Sequence, residues 1–169
     1  MASIPIFNKP TEIYRQTQNV VQAVRSLYES GNYFVSGLVL LFSMETGELL
    51  AVFPDGEMQR IRVGAANGIA AKHLSLPDAS TVGLLGSGFQ AGSQLQAMCA
   101  VRKIKRIRVF SPNQEHRESF AKEWTPKLGL TVEPVSSGRE AVDGADIAIC
   151  STNSAQPVFE AGWVRPGMF

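Results

Sequence analysis

A small α+β unit leading into a doubly wound parallel α/β sheet is the fold class that this sequence predicts, and three observations predict it. From Thr81 onward, short apolar runs alternate with helical patterns, the order that builds a parallel sheet covered on both faces. The first of those runs, Thr81 to Leu85, leads straight into a glycine-rich turn, Gly86-Ser87-Gly88-Phe89-Gln90-Ala91, that opens a helix. Upstream, a hairpin pattern and long helical patterns replace that alternation.

Taken from its start, the segment Met1 to Pro10 has no periodicity and contains two prolines, so an irregular arm is expected. Thr11 can cap a helix through Glu29, with Ile13, Val20, Val21, Val24, Leu27 and Tyr28 near the helical period, and Gly31 ends it. Tyr33 to Ser43 reads as a strand, Glu45-Thr46-Gly47-Glu48 as a turn and Leu49 to Phe53 as the returning strand. Pro54-Asp55-Gly56 closes this pair, and a helix then runs from about Glu57 to Leu76. The middle of that helix, Gly64 to Ala71, is nearly all small residues, which suits close packing against a sheet or a second subunit. Pro77-Asp78-Ala79-Ser80 marks the domain boundary, giving residues 1–77 and 78–169.

In the second half, Arg106 to Phe110 is the next strand and Asn113 caps a helix from Gln114 to about Lys127. Thr131 to Val135 is the third strand. Ser137-Gly138-Arg139-Glu140 has the spacing of a capping box and starts a short helix ending at Gly144, before a fourth strand from Asp146 to Cys150. A doubly wound fold of this kind generally has six strands. Four and the start of a fifth are legible, so the sequence is expected to be a piece of a longer one, with Val158, Phe159 and Trp163 left without partners. Residues 1–169 alone are accordingly expected to associate non-specifically and to show no turnover.

Composition narrows the possible partners. With 169 residues, 44% of them hydrophobic and 18% charged, the chain can bury a core for one domain or two small ones. Its longest apolar run, Gly37 to Phe42, is far below the roughly 20 residues of a bilayer span, and the N-terminus lacks the order of a signal peptide. No membrane partner and a cytoplasmic location are expected. Cys99, Cys150, His73 and His116 are scattered, so no metal site is legible and the cysteines read as buried small hydrophobes. A net charge of +1 offers no reason to expect nucleic acid. The densest charge run, Arg102 to Arg108, reads as a solvated helix C-terminus.

The turn after Thr81–Leu85 has the G-x-G-x-x-A form of a Rossmann-like dinucleotide fingerprint. Gly86 lets the chain leave the strand sharply, Gly88 lets the backbone approach a pyrophosphate, and Ala91 lets the helix pack closely. The free N–H groups of the first helical turn, with the helix dipole, suit a phosphate. Ligands in such folds lie at the carboxyl ends of the strands. Gly86, Ser87, Gly88, Phe89 and Gln90 are therefore the candidates after the first strand, and Ser111 and Asn113 after the second. An NAD site usually carries an acid there, and none occurs before Glu115, which favours NADP over NAD. After the fourth strand come Ser151, Thr152 and Asn153, which either meet the nicotinamide end or form an ordinary polar loop.

TGELLA (Thr46 to Ala51), RVGAA (Arg62 to Ala66), GLLGSGFQA (Gly83 to Ala91), GADIAICSTNSAQPVF (Gly144 to Phe159) and the closing WVRPGMF together resemble the ornithine cyclodeaminase/mu-crystallin family. The resemblance implies a substrate and oligomerisation domain joined to a dinucleotide domain, usually in a homodimer, acting on a small amino or imino acid with an α-carboxylate. It also implies that Arg62 holds that carboxylate, as a guanidinium fork can. Three departures stand out. Arg62-Val63-Gly64 replaces the family's Arg-Thr-Ala, no lysine occurs between Thr11 and Ala71, and the family's catalytic aspartate would fall beyond Phe169. Catalytic residues are thus not identified. Two functions follow from the resemblance: a cyclodeaminase or ketimine reductase using NADP or NAD, and a non-catalytic NAD(P)H-binding crystallin-like protein.

Overall fold

A computed structural model describes residues 37–169 together with Gln22, which is helical. The expected N-terminal arm, the rest of the Thr11–Glu29 helix and the start of the strand from Tyr33 lie outside the described residues. The chain divides into two compact units, Met1–Gln59 and Arg60–Phe169.

In the first unit, β1 (Leu38–Phe42) and β2 (Leu49–Pro54) pair antiparallel, with a bulge between Leu41 and Phe42. Ser43 Oγ accepts from the N–H groups of Glu45 and Thr46, and Gly47 takes a φ of 72°, so the expected turn is built by a side-chain cap and a left-handed glycine. Helix α1 (Asp55–Leu74) follows β2 without a break. Asp55 and Gly56, expected in a closing turn, are instead helical. Two acids in the first turn, Asp55 and Glu57, complement the positive end of the helix and favour this early start.

The second unit holds a four-stranded parallel sheet in the order β5-β4-β3-β6. Its strands are β3 (Thr81–Leu85), β4 (Arg106–Phe110), β5 (Val132–Pro134) and β6 (Ile147–Cys150). They are linked by α2 (Ala91–Val101), α3 (Gln114–Leu128) and α4 (Gly138–Val142). Val82 stands opposite both Ile107 and Ile147, so the central strand is paired on both edges by apolar residues. The main core gathers Val82, Leu84, Leu95, Met98, Ile107, Val109 and Ile147, and a second cluster forms around Leu85, Val135, Ala141 and Val142. Burying apolar side chains on both faces at roughly 25 cal/mol per Å² is what holds such a sheet.

Four expectations are corrected here. The small residues of α1 pack against α2, a helix rather than a sheet: a Cβ on Gly64 would lie 2.6 Å from Ser93 O, and one on Gly68 3.1 Å from the Ala97 Cβ. The charge run is not simply solvated. Arg102 reaches across to α1 and donates to the carbonyls of Ala71, Lys72, Ser75 and Leu76, closing that helix's free C-terminal end, while Arg108 is buried and donates to Asp143 O. The capping box is offset: Ser137 Oγ accepts from the Glu140 N–H, but the Glu140 carboxylate accepts from the N–H and hydroxyl of Ser136. Finally, Val158, Phe159 and Trp163 are not without partners, because they pack on the Leu85 cluster. Beyond them the chain returns to the sheet edge, where Phe169 N–H donates to Asp146 O and Phe169 O accepts from Ala148 N–H. Among the described residues, no helix is long and apolar enough to cross a membrane.

Candidate functional site

The carboxyl ends of β3, β4 and β6 open on a cleft of about 820 Å³. In sequence the chain leaves β3 for β4 on one side and later returns to β6 on the other, so this is the point where the strand order reverses and a crevice forms. Two hydrogen bonds tie the rim together, from Gly86 N–H to Phe110 O and from Ser151 N–H to Leu85 O.

Gly86 has a φ of 104°, a left-handed conformation that the sharp exit from β3 requires, and a Cβ there would strike Ser151 O. Gly88 differs. A Cβ on it would meet nothing within 4 Å, because it faces open space. The turn closes through Ala91 N–H to Gly88 O, and Gln90 caps α2 without a side-chain bond. Among the described residues, the N–H groups of Gly88, Phe89 and Gln90 donate to no carbonyl, beside the positive end of an eleven-residue helix. Gln90 Oε1 is buried and has no partner among the described residues. Ala91 is fully buried and Gly92 lies against the Trp124 ring, so this first helical turn is held close to the sheet and to α3. A backbone cradle with free donors and open space at one glycine fits a dinucleotide.

Of the candidates from the sequence, Gly86, Ser87, Gly88, Phe89, Gln90, Ser111, Ser151, Thr152 and Asn153 all line this cleft. Asn113 does not. Its Oδ1 accepts from the His116 N–H at 3.1 Å and caps α3. Arg62 is exposed on α1 and is also outside the lining. Phe89 is 60% exposed, and the Arg60 guanidinium lies 5.8 Å from its ring centroid.

Several lining residues escaped the sequence reading: Val63, Asn67, Gln94, His116, Cys150 and Val158. Helical spacing carries a signal for some of them. Val63 and Asn67 are one turn apart on α1, Gln90 and Gln94 one turn apart on α2, and His116 follows Asn113 by three. Cys150 is exposed at the end of β6, not a buried hydrophobe, although partial burial of its thiol raises its pKa. Arg117 sits beside Ser111, donating to Ser111 O at 2.9 Å with its guanidinium 6.0 Å from the Phe110 ring centroid. No Asp or Glu lines the cleft among the described residues. No group of three or more His, Cys, Asp or Glu among them is placed to hold a metal ion.

Comparison with known proteins finds a match to the ornithine cyclodeaminase/mu-crystallin family over residues 13–169. A Delta(1)-pyrroline-2-carboxylate reductase of Bacillus cereus is 34% identical over 140 residues, 83% of this chain and 43% of the relative. Among solved structures, the Thermococcus litoralis Delta(1)-pyrroline-2-carboxylate reductase in complex with NADH and L-proline superposes with a TM-score of 0.76 at 38% identity, over 78% of this chain and 41% of that one. An archaeal alanine dehydrogenase dimer with bound NAD gives a TM-score of 0.71 at 33% identity, over 78% of this chain and 40% of that one. The chain thus spans well under half the length of these relatives.

Proposed function

We propose, on the premise that this chain belongs to the ornithine cyclodeaminase/mu-crystallin family, that its cleft binds a nicotinamide dinucleotide in the service of chemistry at the α-carbon of a small amino or imino acid. The observation that carries this reading is the open backbone cradle at Gly88, set where the strand order reverses and bordered by N–H groups without partners. Gly86 to Gln90 would hold the pyrophosphate and Ser151 to Asn153 would line the nicotinamide end. When bound, the dinucleotide supplies or accepts a hydride. The protein's own contribution is then to orient the cofactor and to exclude water from the crevice.

Two features support NADP over NAD. Ser111 follows β4 with no carboxylate among the described residues of the cleft lining, and Arg117 adds a positive charge beside it. For the whole protein, the reading extends to a reductase or cyclodeaminase with residues 1–77 as substrate and oligomerisation domain and 78–169 as the cofactor domain. Arg62 is the proposed carboxylate ligand, and a homodimer is the proposed assembly, in line with the dimeric alanine dehydrogenase.

The test is a titration of NADPH and NADH followed by quenching of the two tryptophans. Saturable binding of either supports the reading. Absence of binding by both, in a protein whose melting shows it to be folded, overturns it.

A further inference from the structure

Gln94 stands one turn into α2, is only 4% exposed, and lines the cleft. A buried amide needs partners for both its oxygen and its nitrogen. The oxygen has one: Asn67 on α1 donates its Nδ2 to Gln94 Oε1 at 2.7 Å. With Asn67 as the donor, the Gln94 amide sits with its oxygen toward α1 and its nitrogen on the other side. Among the described residues Gln94 Nε2 has no hydrogen-bond partner, and it is not one of the atoms sealed from solvent. Close packing of α1 on α2 at Gly64 and Gly68 brackets Asn67 and holds it at this distance.

We infer that Asn67 orients Gln94 so that its Nε2 donates to an anionic oxygen of the bound ligand, Asn67 acting as a positioning residue. The inference rests on the dinucleotide reading of the cleft. An anion is favoured over a neutral acceptor because Gln94 shares the cleft with the free N–H groups of Gly88 to Gln90 and, among the described residues, no carboxylate lines it. That oxygen belongs either to the dinucleotide's pyrophosphate or to a substrate carboxylate, which share this chemistry.

The experiment compares wild type with Gln94→Met, which keeps the length but removes the donor, and Asn67→Asp. The carboxylate of the second variant can only accept, so Gln94 must turn its nitrogen toward it and present its oxygen to the cleft. Asn67 is exposed, so this variant is expected to fold even where a change at Gln94 does not. The probes are NADH, inorganic pyrophosphate, adenosine, and L-proline added to protein saturated with NADH.

For a pyrophosphate contact, both variants bind NADH and inorganic pyrophosphate at least tenfold more weakly while adenosine binds unchanged. For a carboxylate contact, NADH is unchanged and proline is weakened tenfold. Variants that match wild type on every probe overturn the inference, as does a loss equally large for adenosine, which would make the pair merely structural. A folded wild type that binds no dinucleotide overturns the reading of the cleft itself, a result distinguishable from both.

Discussion

Two glycines of one turn do opposite work, and substitution separates them. At Gly86 a side chain meets Ser151 O and must adopt a φ of 104°, so Gly86→Ala is expected to lose about 1–3 kcal/mol from backbone strain alone, with the clash added. At Gly88 a side chain meets only open space. Gly88→Val is therefore expected to melt within a few degrees of wild type yet lose NADPH binding by at least a hundredfold, as measured by fluorescence titration. Equal affinities for the two proteins would remove the turn from the site. Cofactor choice is a question of the same scale. Ser111→Asp places a carboxylate where a 2′-phosphate is proposed to lie, and is expected to reverse a preference for NADPH over NADH. A wild type that favours NADH tenfold, a difference of about 1.4 kcal/mol, would refute that placement.

Helix ends decide the behaviour of individual elements. Arg102 donates to the Ala71 and Lys72 carbonyls in the last turn of α1 and to those of Ser75 and Leu76 just beyond it, where the intrahelical ladder runs out. Hydrogen bonds from a charged donor are worth roughly 1.5–3 kcal/mol, so Arg102→Ala is expected to destabilise by about that much and to speed amide exchange from Ala71 to Ser75. Arg102→Lys should recover little, since one ammonium cannot span four carbonyls as a fork does. The start of α4 responds to pH instead. The Ser136 N–H and hydroxyl hold the Glu140 carboxyl below its usual range. A depressed folded-state pKa contributes stability above the unfolded value and loses it as pH falls through the folded one. The melting temperature of wild type is thus expected to exceed that of Glu140→Gln near neutrality and to converge with it in acid.

Across the second unit, stability should follow position in the sheet. β3 is paired on both edges and its residues Val82 to Leu85 are buried, whereas β5 is three residues long and lies at an edge. Native-state hydrogen exchange is expected to be slowest in β3 and β4 and faster in β5, because edge groups open without disturbing the core. Comparable protection of β5 and β3 would contradict this ordering. The returning segment through Phe169 bonds to β6 on its far side, so Ala148 should be protected as well.

Local chemistry makes much of this protein legible from sequence. The strands Thr81–Leu85 and Arg106–Phe110, the Asn113 cap and the glycine turn are each readable, because strand runs, caps and tight turns depend on residues close together in the chain. The α/β class follows from the same alternation. Tertiary structure decided what depends on distant partners. That Gly64 and Gly68 meet a helix, that Arg102 closes the end of α1 rather than solvating its own, and that Asn67 and Gln94 meet across 27 positions could not be read from any window. The same reason explains the unexpected cover of Val158, Phe159 and Trp163. Periodicity shows which face of an element is apolar, but only the folded chain determines what that face and its polar neighbours come to touch.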